Sequence, residues 1–332
     1  MVRVGINGFG RTGRAVVRSW LNGYFDDVNI VAINSPAEIK TAAHLLKYDT
    51  IYRTLHADIR AKGNYLVIDG REVAYSSFKK PEEIPWRSNS IDAVLECCGE
   101  FKKRTELEPH LSNGVKKVIV ACPCEEADRT IVFGANQHEY DPNDRIISAG
   151  SCTSGAVVLA IKVLRDRYGV RKGVFTTDHA YTMDQRLLDG SHDDLARARA
   201  ATENFILTKS GAQKIVGKIF PELEGKFDGY AIRAPVASVS VANLSLSLGK
   251  GTTNDEINEA YKDESEGSLK GLLGYSTENL VSSDYIGDSR SAIIHSLQTK
   301  VVDGDLAQVV AWYDNERGHA NRLLDLVGFL FK

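Results

Sequence analysis

Cys152 and His179 are the side chains of this sequence with the clearest capacity for nucleophilic chemistry. Cys152 lies at the start of a helical pattern, and His179 lies at the end of the next strand pattern along the chain. The positive end of a helix dipole lowers the pKa of a thiol, and an imidazole that reaches the sulfur can take its proton. The two residues therefore predict a cysteine nucleophile with a histidine base. Because separation along the chain does not measure distance in space, a buried, unreactive cysteine is the alternative interpretation.

A glycine-rich segment near the N-terminus predicts dinucleotide binding. The letters GFGRTG at positions 8–13 follow a strand pattern and open a helical one. Glycines allow a tight turn and let a pyrophosphate approach the free N–H groups at the start of the helix. We expect cofactor contacts from Gly8, Gly10, Arg11, Thr12 and Gly13, and a purely structural turn is the alternative.

The end of the second predicted strand bears on which dinucleotide is bound. A carboxylate in this place usually bonds the adenosine ribose of NAD, but the strand here ends in Asn34 and Ser35. Without that carboxylate there is no like charge to repel a 2′-phosphate, and the Ser35 hydroxyl can donate a hydrogen bond to one. We therefore expect NADP, or both NADP and NAD, as cofactor. The alternative is that Asn34 alone bonds the ribose of NAD and that Ser35 is an ordinary loop residue.

Alternating strand and helix patterns predict an α/β fold for the first half of the chain. They are typical of a doubly wound, mainly parallel sheet that is covered by helices. The predicted strands are Val2–Asn7, Val28–Ile33, Ala93–Glu96, Lys117–Ala121, Ile131–Phe133 and Arg145–Ser148, and the predicted helices are Thr12–Tyr24, Ile39–Lys47 and Arg104–Ser112.

The second half predicts an α+β domain with a mostly antiparallel sheet, because its strand patterns alternate apolar and polar residues. A polar stretch at 182–204 has no clear period, and the last residues form a helical apolar stripe that must dock elsewhere. The predicted strands are Gly173–Thr177, Tyr230–Arg233 and Ser238–Leu248, and the predicted helices are Ala156–Tyr168 and Ala212–Ile219.

The composition is typical of a globular protein with two cores. The 332 residues include 43% hydrophobic and 26% charged residues, with a formal net charge of −3. Interspersed charges of both signs argue against nucleic acid or an anionic membrane as partner. The N-terminus lacks a signal-peptide pattern, so we expect a cytoplasmic protein. The five cysteines lack the C-x2-C spacing of zinc sites, so we expect reduced thiols and no metal.

Eight segments, in order along the chain, together resemble the phosphorylating glyceraldehyde-3-phosphate dehydrogenase family. They are INGFGRTGR, HLLKYD, SCTS, DHAYTMDQ, ARARAA, TKSG, AIRAP and WYDNERG. The resemblance covers essentially the whole chain. It implies a Rossmann domain at 1–150, a catalytic domain at 151–315 and a helix at 316–332 that packs back on the first domain. It also implies a homotetramer.

The resemblance further implies a reaction and roles for several residues. Cys152 attacks the aldehyde of D-glyceraldehyde 3-phosphate to give a thiohemiacetal, hydride passes to the nicotinamide, and inorganic phosphate cleaves the resulting thioester to 1,3-bisphosphoglycerate. His179 activates the thiol and serves the hemiacetal oxygen as acid and base. Asn315 matches the residue that bonds the nicotinamide carboxamide.

Two anion sites are implied by the same motifs. Hydroxyls, a glycine N–H group and forked guanidinium groups hold phosphate oxygens with direction. Thr182 and Arg233 match the site for the substrate phosphate. The site for the attacking phosphate is matched by Ser151, Thr153, Arg197, Ser210 and Gly211.

Several positions depart from the family pattern. Cys98 replaces a threonine near the cofactor, and Ser191 stands where NAD-specific members have proline, which again favours NADP use. Gly155, Arg317 and His319 replace family residues near the thiol and the nicotinamide. These changes leave two alternatives open, an erythrose-4-phosphate dehydrogenase and a nucleotide-binding regulatory relative with decayed activity. A cysteine hydrolase would leave the glycine segment unexplained.

Overall fold

The computed structural model describes residues 1–23 and 25–332, and they form two compact units. The first contains Met1–Gly150 and Ala320–Lys332, and the second contains Ser151–His319.

Up to residue 150 the elements are β1 Val2–Asn7, α1 Arg11–Trp20, β2 Val28–Asn34, α2 Ile39–Lys47, β3 Ile59–Lys62, β4 Tyr65–Ile68, β5 Arg71–Ser76, β6 Ala93–Glu96, α3 Arg104–Ser112, β7 Lys117–Val120, β8 Arg129–Thr130 and β9 Ile146–Ser148. The remaining elements are α4 Cys152–Tyr168, β10 Val170–Ala180, β11 Ile206–Lys209, α5 Ala212–Ile219, β12 Phe227–Ala234, β13 Ser240–Leu248, α6 Asn254–Glu266, β14 Leu273–Ser276, β15 Ala292–His295, β16 Lys300–Val302, β17 Leu306–Tyr313 and α7 Arg317–Leu330. Short 3-10 turns occupy Pro81–Glu83, Gln137–Glu139, Pro221–Leu223, Ser282–Tyr285 and Ser296–Gln298.

The sheet of the first unit is doubly wound, as predicted. Its strand order is β3-β4-β5-β2-β1-β6-β7-β9-β8, and β1 pairs in parallel with both β2 and β6. The chain order therefore reverses at β1, which places a crevice beside the carboxyl ends of β1 and β6. Strands such as β6 and β7 are buried throughout, because helices cover the sheet on both sides.

The sheet of the second unit is mixed and mostly antiparallel, which also confirms the predicted fold class. Its order is β11-β12-β10-β13-β17-β15-β14, with β16 added on β17. Along β13 the residues alternate between buried and partly exposed, and α4 packs against β13 and β17. The pairing of β10 with β12 is parallel and sets His179 opposite Arg233.

Most predicted elements are present, and the differences have local causes. The helix predicted at Thr12–Tyr24 is α1, which ends at Trp20, and Tyr24 lies outside the described residues. The strand predicted at Ile131–Phe133 is wrong, because the pairing with β9 is made by Arg129–Thr130. The C-terminal helix is shorter than 316–332, spanning Arg317–Leu330.

The antiparallel strands β3, β4 and β5 have no counterpart among the predicted elements. Each is short, and their alternation is interrupted by Gly63 and Gly70, which adopt positive φ angles of 57° and 78° in the turns. Three-strand meanders of this length give a weak periodic signal, so the sequence pattern alone did not reveal them.

Candidate active site

Cys152 is the first residue of α4, and the start of that helix is firmly capped. The Ser151 hydroxyl accepts the Ser154 backbone N–H at 3.1 Å, and the Ser154 hydroxyl accepts the Ser151 N–H at 2.7 Å. This reciprocal capping fixes the backbone at the thiol. Ser151 therefore has a local structural partner, and Cys152 is only half-buried.

His179 lies near the end of β10, and its imidazole lies beside the Cys152 thiol. Its Nε2 atom lies 3.5 Å from the Sγ atom of Cys152. On the other side of the ring, Nδ1 lies 2.6 Å from the carbonyl oxygen of Ala180 and 2.6 Å from Nη1 of Arg233. The structure thus brings together Cys152, His179 and Arg233, three residues that the sequence placed in separate motifs.

Burial decides the protonation of the pair. Burial raises the pKa of the Cys152 thiol, and the charge of Arg233 and hydrogen bonds at Thr153 oppose that rise without cancelling it. Backbone N–H groups at the start of the helix lower this pKa, as expected, but the loss of solvent raises it by more. Burial, together with the charge of Arg233, lowers the pKa of His179 to about 3. Both shifts favour the uncharged forms, a thiol at Cys152 and a neutral imidazole at His179.

Tyr313 is a buried partner of the site that the sequence analysis missed. Its hydroxyl lies 3.0 Å from the Thr153 hydroxyl and 2.7 Å from the Thr177 hydroxyl. Thr153, predicted to contact the attacking phosphate, is thus buried and bonded to Tyr313. Tyr313 lies in the segment WYDNERG, which the sequence analysis had singled out. Only the folded structure shows that its hydroxyl links Thr177 on β10 to Thr153 on α4.

Arg197 is held by acidic and hydroxyl groups around it. It forms an ion pair with Asp184, and its Nε atom donates to the Thr208 hydroxyl at 3.0 Å. That hydroxyl donates to Asp194 at 2.6 Å. Although partial burial opposes it, the ion pair with Arg197 lowers the pKa of Asp184. These partners fix the direction of the guanidinium.

The other predicted anion contacts lie at the ends of neighbouring elements. Thr182 follows β10, and its backbone N–H donates to the side chain of Gln185. The Ser210 hydroxyl accepts the Ala212 N–H at 3.2 Å, and Gly211 is the N-cap residue of α5. Apart from Gly211 itself and its chain neighbours, no described residue has an atom within 4 Å of where a Cβ on Gly211 would stand, so this helix start faces open space.

The glycine segment of the first unit has the geometry of a dinucleotide loop. Gly8 has a φ of +93°, and a Cβ there would lie 2.4 Å from the Cys98 nitrogen. A Cβ on Gly13 would lie 2.2 Å from the Gly8 oxygen, so both positions require glycine. At Gly10, by contrast, no described residue other than Gly10 and its chain neighbours has an atom within 4 Å of an added Cβ. A tight turn, a close-packed helix and open space before the helix N-terminus fit a pyrophosphate.

The remaining loop residues differ in how free their side chains are. Thr12 is half-buried in the first turn of α1. Arg11 is paired with Asp49, whose carboxylate also accepts the N–H groups of Ile51 and Tyr52 at 2.9 Å. The Arg11 side chain is therefore engaged within the protein, and its backbone is what borders the helix start.

Asn34 and Ser35 are both buried, and both have protein partners. The Asn34 amide donates to Asn7 and to the Phe78 carbonyl at 2.9 Å, and its oxygen accepts from Ser76 and the Phe78 N–H at 2.9 Å. All its hydrogen-bonding capacity is thus used. The Ser35 hydroxyl lies 3.4 Å from the Ala37 nitrogen and contacts Tyr75.

The last predicted cofactor residues lie in different settings. Cys98 is half-buried, and burial together with the neighbouring Glu96 raises its pKa to about 12. Ser191 is exposed, and its carbonyl accepts Nε of Arg186 at 2.8 Å. Asn315 is buried, and its side-chain oxygen accepts the Ser240 hydroxyl at 3.3 Å.

The described residues offer neither a metal site nor a membrane-spanning helix. They contain no group of three or more His, Cys, Asp or Glu side chains arranged to hold a metal ion. Within the same part of the chain, no helix has the length and apolar character needed to cross a membrane.

Comparisons with known proteins match the whole length of the chain. A family model described as glyceraldehyde 3-phosphate dehydrogenase, NAD binding domain, matches residues 2–104, and the C-terminal domain model matches residues 151–315. Glyceraldehyde-3-phosphate dehydrogenase 1 of Bacillus cereus is 45% identical over 331 residues, which cover 99% of this chain and 98% of the relative. The enzyme of Geobacillus stearothermophilus is 46% identical over 330 residues, with coverage of 99% and 98%. Glyceraldehyde-3-phosphate dehydrogenase 2 of Nostoc sp. is 45% identical over 328 residues, with coverage of 98% and 97%.

Proposed function

Because the chain belongs to the glyceraldehyde-3-phosphate dehydrogenase family, we propose that it oxidises D-glyceraldehyde 3-phosphate with NAD(P) and inorganic phosphate to 1,3-bisphosphoglycerate. The observation that carries the proposal is the 3.5 Å contact between Cys152 and His179 at the capped start of α4. A thiol beside a base is the arrangement that covalent aldehyde oxidation requires.

In this proposal the chain's own groups move protons and hold charge. The Cys152 sulfur adds to the aldehyde carbon as the thiol proton passes to His179, and the imidazolium returns that proton to the former carbonyl oxygen, which gives a thiohemiacetal. His179 then takes the hemiacetal O–H proton as the C–H bond breaks and a thioester forms. Bound NAD(P) supplies the acceptor for the hydride. An oxygen of inorganic phosphate attacks the thioester, and the Cys152 sulfur leaves and recovers a proton.

The two anions are assigned to the groups around the sulfur. Arg233 touches His179 and, with Thr182, is proposed to hold the substrate phosphate. Arg197 is proposed to hold the attacking phosphate, together with Ser210 and the Gly211 N–H group. Ser151 and Thr153 are assigned to the same site through the backbone, because their hydroxyls bond Ser154 and Tyr313.

We assign cofactor binding to residues 1–150 with the C-terminal helix, and catalysis to residues 151–315. The glycine loop of the first unit supports binding of the pyrophosphate, and Asn315 is proposed to bond the nicotinamide carboxamide. Use of NADP as well as NAD is supported by the absence of a carboxylate at Ser35. Since Ser35 is buried against Ala37, this argument rests on missing repulsion rather than on a new bond.

A homotetramer in the cytoplasm completes the proposal. Large apolar side chains are exposed along the segment between β10 and β11, among them Met183 at 84% and Leu195 at 82%. Apolar surface of this extent is typical of a contact between protein copies. A mass of one chain in multi-angle light scattering would contradict the assembly.

Initial rates with glyceraldehyde 3-phosphate and inorganic phosphate, measured in parallel with NAD and NADP, test the proposed function. We expect turnover that requires phosphate and proceeds with NADP. Turnover with NAD alone would keep the reaction and reject the NADP proposal. A much larger kcat/KM for erythrose 4-phosphate would identify the related tetrose activity. Cofactor binding without turnover, together with a Cys152 thiol no more reactive than free cysteine, would identify a decayed enzyme.

A further inference from the structure

A row of hydrogen-bonded, buried polar side chains crosses the carboxyl ends of the central strands in the first unit. Asn34, at the end of β2, donates to Asn7 at the end of β1 at 2.9 Å. Asn7 donates in turn to Glu96, at the end of β6, at 2.7 Å. Each of the three is at most 3% exposed. These hydrogen bonds therefore join the ends of β2, β1 and β6, at the place where the strand order reverses.

The row of hydrogen bonds continues from the sheet to His110 in α3. The His110 Nε2 atom lies 3.2 Å from a Glu96 carboxylate oxygen, and the Trp86 Nε1 atom donates to His110 Nδ1 at 2.8 Å. The Trp86 ring packs against β1 at Gly5, where an added Cβ would lie 2.7 Å from the ring. Glycine at this strand position is what admits the indole.

The donors fix the directions of the hydrogen bonds in this cluster. An indole N–H can only donate, so His110 Nδ1 is an acceptor and its ring proton is on Nε2, facing Glu96. The Asn7 amide and the Cys98 backbone N–H, at 2.9 Å, also donate to the carboxylate. The buried Glu96 side chain thus accepts from Asn7 and the Cys98 N–H and faces the Nε2 proton of His110.

Glu96 is coupled to the glycine loop through the peptide at Cys98. Its carboxylate holds the Cys98 N–H, and that same nitrogen is the atom closest to a Cβ on Gly8, at 2.4 Å. The Cys97 N–H also donates to the Asn7 carbonyl at 2.7 Å. The turn at Gly8 therefore rests against a backbone segment whose position Glu96 sets.

We propose that Glu96 is a positioning residue of the dinucleotide site, which its carboxylate shapes by fixing the Cys98 peptide against Gly8, with His110 and Trp86 holding the carboxylate in place. The inference rests on the proposed function in that the first unit must bind the cofactor. A second consequence concerns the Cys98 thiol, which faces the same carboxylate and stays protonated beside its negative charge.

The first test is the affinity of Glu96→Gln for NAD, measured by calorimetry with the full-length protein. The amide keeps the size of the side chain but turns an N–H2 group toward donors, so at least one hydrogen bond is lost. We expect the Kd for NAD to rise about tenfold, the change that an unsatisfied buried donor produces. The KM for glyceraldehyde 3-phosphate should stay within twofold of the wild type.

The matched control is Ile68→Val, which removes one buried methylene from β4, a strand that does not neighbour β6. It lowers the melting temperature without touching the cluster, so its Kd for NAD should equal that of the wild type. His110→Gln, which keeps a donor for Glu96 and an acceptor for Trp86, should bind NAD more tightly than His110→Leu, which keeps neither. This second pair preserves the test if Glu96→Gln does not fold.

The second readout does not depend on the cofactor. Alkylation at pH 8.5, followed by peptide mapping, should modify Cys98 faster in Glu96→Gln than in the wild type, and no faster in Ile68→Val. Equal Kd values for NAD in the wild type, Glu96→Gln and His110→Leu would overturn the positioning role. A wild-type protein that binds neither NAD nor NADP would overturn the proposed function as well, so the two failures are distinguishable.

Discussion

The Nη1 atom of Arg233 lies 2.6 Å from the Nδ1 atom of His179, on the side of the ring that faces away from Cys152. The contact follows from strand register, since the parallel pairing of β10 with β12 sets these two residues opposite each other. A guanidinium can only donate, whereas the Ala180 carbonyl, also 2.6 Å from Nδ1, can only accept. The imidazole can satisfy one of these neighbours in each tautomer, and a protonated ring would face the positive charge of Arg233.

Replacing Arg233 should therefore make His179 easier to protonate. Burial and the Arg233 charge lower the pKa of His179 to about 3, and the Arg233→Met substitution removes the second cause. We expect the pKa of His179 to rise toward the ordinary value for histidine, as measured by NMR titration of the labelled imidazole. Arg199→Met, which removes an exposed arginine paired with Asp189, should leave it unchanged. An unaltered pKa in Arg233→Met would mean that burial alone sets it.

The buried, uncharged state of His179 should also appear in the stability of the protein. Its pKa is about 3 in the folded chain and near 6.5 when exposed, so between these values the unfolded chain binds more protons. Stability from this group is present above pH 6.5 and is lost as the pH falls toward 3, with a slope of at most ~1.4 kcal/mol per pH unit.

The His179→Gln variant should reduce that slope. Urea unfolding at several pH values from 5 to 8 measures it, and the difference from the wild type isolates His179 from the carboxylates that titrate in the same range. His138→Gln is the control, because His138 is exposed and its replacement should leave the slope as in the wild type. Parallel pH profiles for His179→Gln and the wild type would contradict the buried neutral state.

The Tyr313 hydroxyl should matter for stability and for the thiol. Tyr313→Phe removes the group that bonds Thr153 and Thr177, so the buried Thr153 hydroxyl loses this bond while Thr177 keeps its bond to the Val241 carbonyl. We expect a loss of about 1–3 kcal/mol in the free energy of unfolding. Because Thr153 follows Cys152 in α4, the rate of Cys152 alkylation should also change. The Kd for NAD should stay the same. An unchanged unfolding free energy would show that the threonines find other partners.

The sequence predicted that the His179 imidazole reaches the Cys152 sulfur, because each residue lies in a local motif with its own signal. It did not reach the contact of His179 with Arg233, which depends on how two distant strands are registered. The sequence also did not reveal the contact of Glu96 with His110, because the two residues lie on different elements, β6 and α3. It gave only one of the opposing effects on the pKa of Cys152, because the start of a helix can be predicted from sequence and the degree of burial cannot.

Gly155 is a departure from the family pattern that the structure makes testable. It lies in the first turns of α4, and its N–H donates to the Ser151 carbonyl at 2.9 Å in ordinary helical fashion. An added Cβ would lie 3.9 Å from Ser291, which is a normal van der Waals distance. Because glycine weakens a helix interior by about 0.5–1 kcal/mol relative to alanine, Gly155→Ala should stabilise the protein by that amount.

Differential scanning calorimetry measures the effect as a rise in the melting temperature, about 2–4 °C for each kcal/mol in a unit of this size. Gly13→Ala serves as the contrast, since its Cβ would lie 2.2 Å from the Gly8 oxygen and should destabilise the first unit. A lower melting temperature for Gly155→Ala would mean that the start of α4 needs the freedom of glycine. The turnover number of that variant would then tell whether the freedom serves the Cys152 thiol.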